Sequence, residues 1–248
     1  MRIIYNNDII DDASLSSSTE NPNYPVDNIQ DSRLSKVFRS TDTENEYIFV
    51  NAGGTASYGF MYSENIPEDA TVTLLGHSEN DFDSTAFEID MVKRGNWWVA
   101  NFSEQAHDFW AIFIDFSDTG DPEYIEIGRI FLGVYVQLPN LDYGYKWDDI
   151  TNSVSIESIS GQAYGDKRKK SKIGKFEFSG VSKTQMDNIQ TIWDAVENVD
   201  PFILLLWANR LDLDPPRYMK FTLNTVPRKR LNNRNLPWGS SLEFKEVF

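Results

Sequence analysis

The chain of 248 residues has no cysteine. That absence excludes disulfide scaffolds, thiolate metal sites, iron–sulfur clusters and thiol nucleophiles together. Histidine is nearly absent too: only His77 and His107 occur, too few for a histidine-rich zinc site. No apolar run approaches the roughly 20 residues of a membrane span. The opening Met1 to Asp8 lacks the apolar stretch of a secretion signal, so the expectation is a chain made in the cytoplasm with no membrane insertion. Basic side chains are scarce in the first part. Residues 1–140 hold 24 acidic and 7 basic side chains, a net of −17, whereas residues 141–248 hold 14 and 16, a net of +2. An acidic first part argues against nucleic acid as its partner, because phosphate binding needs clustered Lys and Arg.

Catalytic motifs are missing as well. Gly53-Gly54 follows a strand-like run but lacks the further glycine and the helix of a phosphate loop. No G-x-S-x-G elbow, H-E-x-x-H pair or calcium-loop pattern occurs. Asp81, Asp83, Asp115, Asp118 and Asp121 offer carboxylates for calcium, but acidic turns are ordinary in so acidic a segment, and solvated carboxylates are the expectation. The two histidines read as surface or hydrogen-bonded structural groups. No enzyme activity, metal or cofactor is therefore expected.

What the sequence does contain is strand after strand. Tyr47 to Ala52, Thr71 to Leu75, Phe109 to Phe116 and Tyr124 to Val136 are β-branched and aromatic, and turn formers separate them. In Phe109 to Phe116, alternation puts Phe109, Ala111, Phe113 and Asp115 on one face and Trp110, Ile112, Ile114 and Phe116 on the other. Gly128 and Gly133 mark bends or close backbone approach. The charge break and Pro139 divide the chain into units at about 1–138 and 141–248.

The second unit reads as strands at Ser153 to Ser160, Lys172 to Ser179, Phe202 to Trp207, Arg217 to Thr222 and Ser240 to Val247, with one packed helix over about 182–198. Ser182 is a good N-cap, and Met186, Ile189, Ile192, Trp193 and Val196 recur at helical spacing. The fold class is mainly β: a β-sandwich followed by a β-barrel or sandwich carrying one α-helix.

Two features suit binding. In Asn96-Trp97-Trp98-Val99, alternation sends one tryptophan inward and the other outward; an outward Trp97 or Trp98 would stack on a sugar ring or cover an interface. Lys167, Arg168, Lys169 and Lys170 form a basic tip between the two strands around them, suited to acidic surface on a neighbouring subunit.

The residues Asn21-Pro22-Asn23-Tyr24-Pro25-Val26-Asp27-Asn28-Ile29, then Val37-Phe38-Arg39-Ser40-Thr41, then Tyr47 to Val50, resemble the opening of discoidin-like β-sandwiches. Tyr124 to Gly133 resembles the closing strand of that family. The compact Asn-Pro-x-Tyr-Pro entry is similar to domains of tailed-bacteriophage tail proteins. Ser158 to Arg168, Ile192-Trp193-Asp194, Asp200-Pro201-Phe202 and Pro237-Trp238 through Val247 resemble distal-tail and related tail-tip (baseplate) proteins. The resemblance implies a peripheral discoidin-like sandwich joined to a ring-forming domain of the tail-tube type. It implies a structural virion protein at the phage tail tip, self-assembling as a hexamer. Its neighbours would be the tail tube, the tape-measure and tail hub proteins. The alternative from the same residues is a carbohydrate-binding adhesin module that contacts a host-surface glycan.

Overall fold

The computed structural model describes residues 1–79, 86–116, 123–138, 145–157, 163–166, 170–207, 215–222 and 238–247. The chain divides into two compact units. One comprises Asn6–Val136 with Trp207–Pro216, and the other comprises Met1–Tyr5, Gln137–Leu206 and Arg217–Val247.

The first unit is a β-sandwich. One antiparallel sheet has five strands in the order Ser14–Ser17, Glu46–Asn51, Phe109–Asp115, Thr71–His77 and Phe87–Asp90. The other has four, in the order Arg129–Gly133, Gly54–Tyr62, Trp97–His107 and Val92–Arg94. A single core lies between them, drawing Ile48, Val50, Leu74, Trp110 and Ile112 from the first sheet and Met61, Trp98, Ala100, Ile130 and Leu132 from the second. Period-two alternation explains the inward sets: Trp110, Ile112 and Ile114 are 0–2% exposed, as the alternation in Phe109 to Phe116 requires.

Two polar side chains tie the loops to this core. Asn7 accepts from the Leu132 amide at 3.0 Å and donates to the Ile130 carbonyl at 2.9 Å, so its amide group completes the free edge of the Arg129–Gly133 strand. Arg129, 4% exposed, donates to the Ile29 carbonyl and pairs with Asp11 at 2.8 Å. Burial pushes the Asp11 carboxyl above its usual range, with the guanidinium opposing that shift. Gly128 is there because a Cβ would stand 2.4 Å from the Leu34 carbonyl oxygen.

The second unit is built on a seven-stranded sheet. Its order is Val136–Gln137, Arg2–Ile4, Phe202–Leu205, Arg217–Phe221, Trp238–Glu246, Ser171–Val181 and Lys146–Ile150, antiparallel from the Arg2–Ile4 strand onward. Phe176, Phe202, Phe221 and Phe244 interlock at its centre with ring centroids 5.1–5.5 Å apart, each at most 2% exposed. The one long helix, Lys183–Val196, begins with a capping box between Ser182 and Gln185 and buries Met186, Ile189, Ile192 and Val196. Trp193 is only half-buried, its ring edge-on to Phe221 at 5.0 Å, whereas the helical spacing placed it on the buried face. The helix also stops at Val196, where Glu197 turns the chain with a φ of 46°, ahead of Asp200-Pro201.

Two boundaries differ from the reading of the sequence. Met1–Tyr5 belong to the second unit, not to a first unit spanning 1–138. Arg2, Ile3 and Ile4 pair with Leu205, Leu204 and Ile203, and the Leu138 amide donates to the Met1 carbonyl. Five residues carry too little sequence to register a partner two hundred positions away. The sandwich is thus an insertion after the first strand of the sheet it interrupts. The second difference lies in the hairpin: Val154–Glu157 pairs with Ala163–Asp166, and Ser171–Val181 runs instead in the seven-stranded sheet. The basic stretch therefore follows a short hairpin rather than capping a long one.

A chain that starts at Asn6 lacks the Arg2–Ile4 strand. Ile3 and Ile4 are both 0% exposed, and burying them contributes about 3 kcal/mol or more. Differential scanning calorimetry of this shortened chain should show the second unit melting earlier and the sandwich transition unmoved. Loss of both transitions together would contradict the division.

Candidate functional site

Trp97 and Trp98 are both buried, at 5% and 2% exposure, so neither ring is available to a sugar. Alternation holds for Trp98, which enters the sandwich core. Trp97 points the other way but is covered: Tyr62 opposes it across the strand pair, edge-on at 5.2 Å. Lys167, Arg168 and Lys169 lie outside the described residues, and Lys170 is exposed. Asp81, Asp83, Asp118 and Asp121 also lie outside them, and among the described residues no three His, Asp or Glu side chains converge on a metal-sized site.

Two tyrosines that the sequence reading passed over meet on Arg39. Tyr24 and Tyr124 place their rings 4.1 and 4.8 Å from the guanidinium, and Glu126 pairs with it at 2.8 Å. Asn65 joins the same end, accepting from the Glu126 amide at 2.9 Å and donating to the Tyr124 carbonyl at 2.7 Å. Beside it the Tyr62 hydroxyl donates to Glu64 and accepts from Asn96. Burial, followed by the Glu64 hydrogen bond, raises the Tyr62 phenol to about 12, so it stays a donor at any physiological pH. Arg39 and Glu126 neutralise each other, and the two tyrosine rings lie against the guanidinium. The end is a structural clasp joining the Asn21–Tyr24 turn, the Phe38–Arg39 strand and the Glu126–Ile127 strand.

The histidines come together at another edge of the sandwich. His77 faces Phe109 in the strand register, and the His107 ring lies over Gly76, where a Cβ would stand 2.4 Å from His107 Cδ2. His107 stacks on Phe87 at 5.8 Å and meets Trp110 edge-on at 4.9 Å, and its Nε2 is buried without a hydrogen-bond partner. Burial lowers its pKa, His77 adds to that, and Asp108 opposes it. The arrangement holds a neutral imidazole as an apolar filler.

Among the described residues, the outer face of the five-stranded sheet carries a further cluster of aromatic side chains. Phe49 and Tyr47 on one strand lie across from Ala111 and Phe113 on the next, and Phe109 follows. Tyr47 lies 5.5 Å from Phe49 at an interplanar angle of 3° and 4.9 Å from Phe113. All four aromatic rings are partly exposed. On one side stand the exposed Ser14 and Ser16, and two strands away on the other stand the exposed Glu88 and Asp90. The alternation in Phe109 to Phe116 placed Phe109 and Phe113 on one face, but the matching set on Glu46–Asn51 becomes visible only once register is known.

No family model and no curated protein matches the chain. Among solved structures, a chitosan-binding module of a Paenibacillus sp. IK-5 chitosanase/glucanase is 12% identical, covering 54% of this chain and 100% of its own, with a TM-score of 0.41. A Streptococcus pneumoniae fucose binding module is 10% identical over 52% of this chain and 95% of its own, at 0.43. The family 32 carbohydrate-binding module of C. perfringens NanJ, solved with galactose, is 11% identical over 55% of this chain and all of its own, at 0.42. These neighbours are carbohydrate-binding modules, and similarity at this level transfers no residue roles.

The histidine geometry has a direct consequence for stability. The unfolded chain takes up a proton on His107 near pH 6.5, while the folded one resists it. Sandwich stability is therefore full above that pH and falls as the pH drops below it. Thermal melts across this range should show the slope, and His107→Phe should flatten it. An unchanged slope in the variant would mean that other groups set it.

Proposed function

We propose that this chain is a structural protein of a tailed-phage tail tip, in which the second unit assembles into a ring and the inserted sandwich recognises carbohydrate. The ring, a hexamer by the resemblance of its residues to distal-tail proteins, would join the tail tube to the host-recognition apparatus. Tail hub and tape-measure proteins would be its neighbours in the virion.

One observation carries the assembly half of this reading. Among the described residues, the Val154–Glu157 and Ala163–Asp166 hairpin gains no third strand, and Tyr164, Gly165 and Asp166 are exposed, Tyr164 at 63%. A two-stranded hairpin in water is marginal by itself and becomes ordered when another surface covers it. Among the described residues the sheet of the same unit ends in Lys146–Ile150 with no further strand beside it, and its exposed Lys146, Asp148 and Asp149 discourage indiscriminate partners. A near-neutral charge leaves the unit free to meet copies of itself, and the acidic sandwiches repel one another.

The glycan half rests on the sandwich's outer aromatic face. The carbohydrate-binding modules to which this chain is similar fit that reading, but its support is the surface itself. With Trp97 and Trp98 buried, a sugar would have to meet other rings.

Native mass spectrometry of the purified protein should show a closed oligomer, and deletion of residues 154–166 should leave monomers whose sandwich melts normally. A wild-type chain that stays monomeric at every concentration, and that cryo-electron microscopy of particles finds nowhere in the tail, would overturn the assembly reading.

A further inference from the structure

We propose that the outer face of the five-stranded sheet binds a linear saccharide bearing free amino groups. The inference rests on the glycan half of the functional reading and gives it a place and a ligand class. Phe49 and Tyr47 present nearly parallel rings two residues apart on one strand, and Phe113 and Phe109 continue the surface on the next. Tyr47 and Phe49 lie parallel with centroids 5.5 Å apart and Phe113 tilts against Tyr47 at 4.9 Å, so with Phe109 the rings form one continuous, partly exposed aromatic patch. The apolar C–H face of a sugar ring suits such a platform, because aromatic side chains offer large, rigid, partly polar area at low entropic cost.

The borders decide the ligand class. The strand register sets Glu88 beside Leu75 and Asp90 beside Thr73, on the same face as the rings. Thr73 donates to the Asp90 carboxylate at 3.1 Å, fixing it on that face. On the opposite border Ser14 and Ser16 supply exposed hydroxyls across from Asn51 and Phe49. A neutral glycan would leave the carboxylates idle and an acidic one would be repelled, whereas protonated amines on the sugar would meet them. Exposed ion pairs contribute little by themselves, so stacking supplies most of the affinity and the carboxylates select the charge. At the Tyr24–Arg39–Tyr124 end the charges of Arg39 and Glu126 are already paired with each other, so no free carboxylate there selects an amine.

The test is calorimetric titration of the full-length protein, in mildly acidic buffer, with glucosamine oligosaccharides, their N-acetylated equivalents and a neutral glucan of the same length. The deacetylated oligomer should bind tightest. Phe113→Ala and Tyr47→Ala should each weaken it about tenfold, the usual cost of losing an aromatic anchor, while Tyr47→Phe should bind normally. Glu88→Gln with Asp90→Asn should abolish the preference over the acetylated oligomer without abolishing binding. Melting curves on each variant verify that it is folded. Wild-type binding that these aromatic variants leave unchanged would remove the site from this face while sparing the glycan reading. Absence of binding to any glycan on a broad array would remove both. Conversion of an oligomer to monomer by Phe113→Asp, with no effect on sugar, would make the face a self-interface and overturn the proposal.

Discussion

Three backbone pairs between Arg2–Ile4 and Ile203–Leu205 hold this protein's organisation together. They commit the start of the chain to the same sheet as its end, and so require everything from Asn6 to Val136 to fold as an insertion. Long loops cost little extra entropy to close, since each doubling adds only about 0.6 kcal/mol, and a folded insertion already shortens the effective loop. The arrangement is thus cheap to form, since the chain leaves the seven-stranded sheet after Arg2–Ile4 and returns to it in the neighbouring strand Val136–Gln137.

Several polar side chains of the sandwich are paired within it. Asn7 repairs a strand edge, Arg129 gathers the Ile29 carbonyl and Asp11, and Arg39 lies between two tyrosines and a carboxylate. Buried or half-buried polar groups that pair internally stabilise a single arrangement and leave little for a ligand. Among the described residues, two surfaces are left to a partner: the aromatic outer sheet face of the sandwich, and the hairpin with the charged edge strand of the second unit. These surfaces underlie both halves of the proposed function.

Much of the fold was legible from residue order alone. Alternation in Phe109 to Phe116 grouped Trp110, Ile112, Ile114 and Phe116, the set that enters the core, and Ser182 with the spacing of Met186, Ile189, Ile192 and Val196 located the helix, because both signals are local and repeat at the period of the element. Pairing was less legible. The partner of Arg2–Ile4 depends on side chains two hundred residues away, and Ser171–Val181 pairs in the large sheet, where Phe176 joins the Phe244–Phe202 cluster. Trp97 illustrates the same limit at the candidate site. Alternation separated it from Trp98 without saying which of the two faces outward, and the cross-strand Tyr62 covers the ring. The platform of Tyr47, Phe49, Phe109 and Phe113 was invisible for a related reason, since it exists only in the register between two strands sixty residues apart.

The most direct test of the insertion is amide hydrogen exchange followed residue by residue. The amides of Ile3 and Ile4 should exchange with the same protection, and with the same response to denaturant, as those of Phe202–Leu205. Exchange of Ile3 and Ile4 in step with Glu46–Asn51 and Phe109–Asp115 would contradict the account, because it would place the start of the chain in the sandwich.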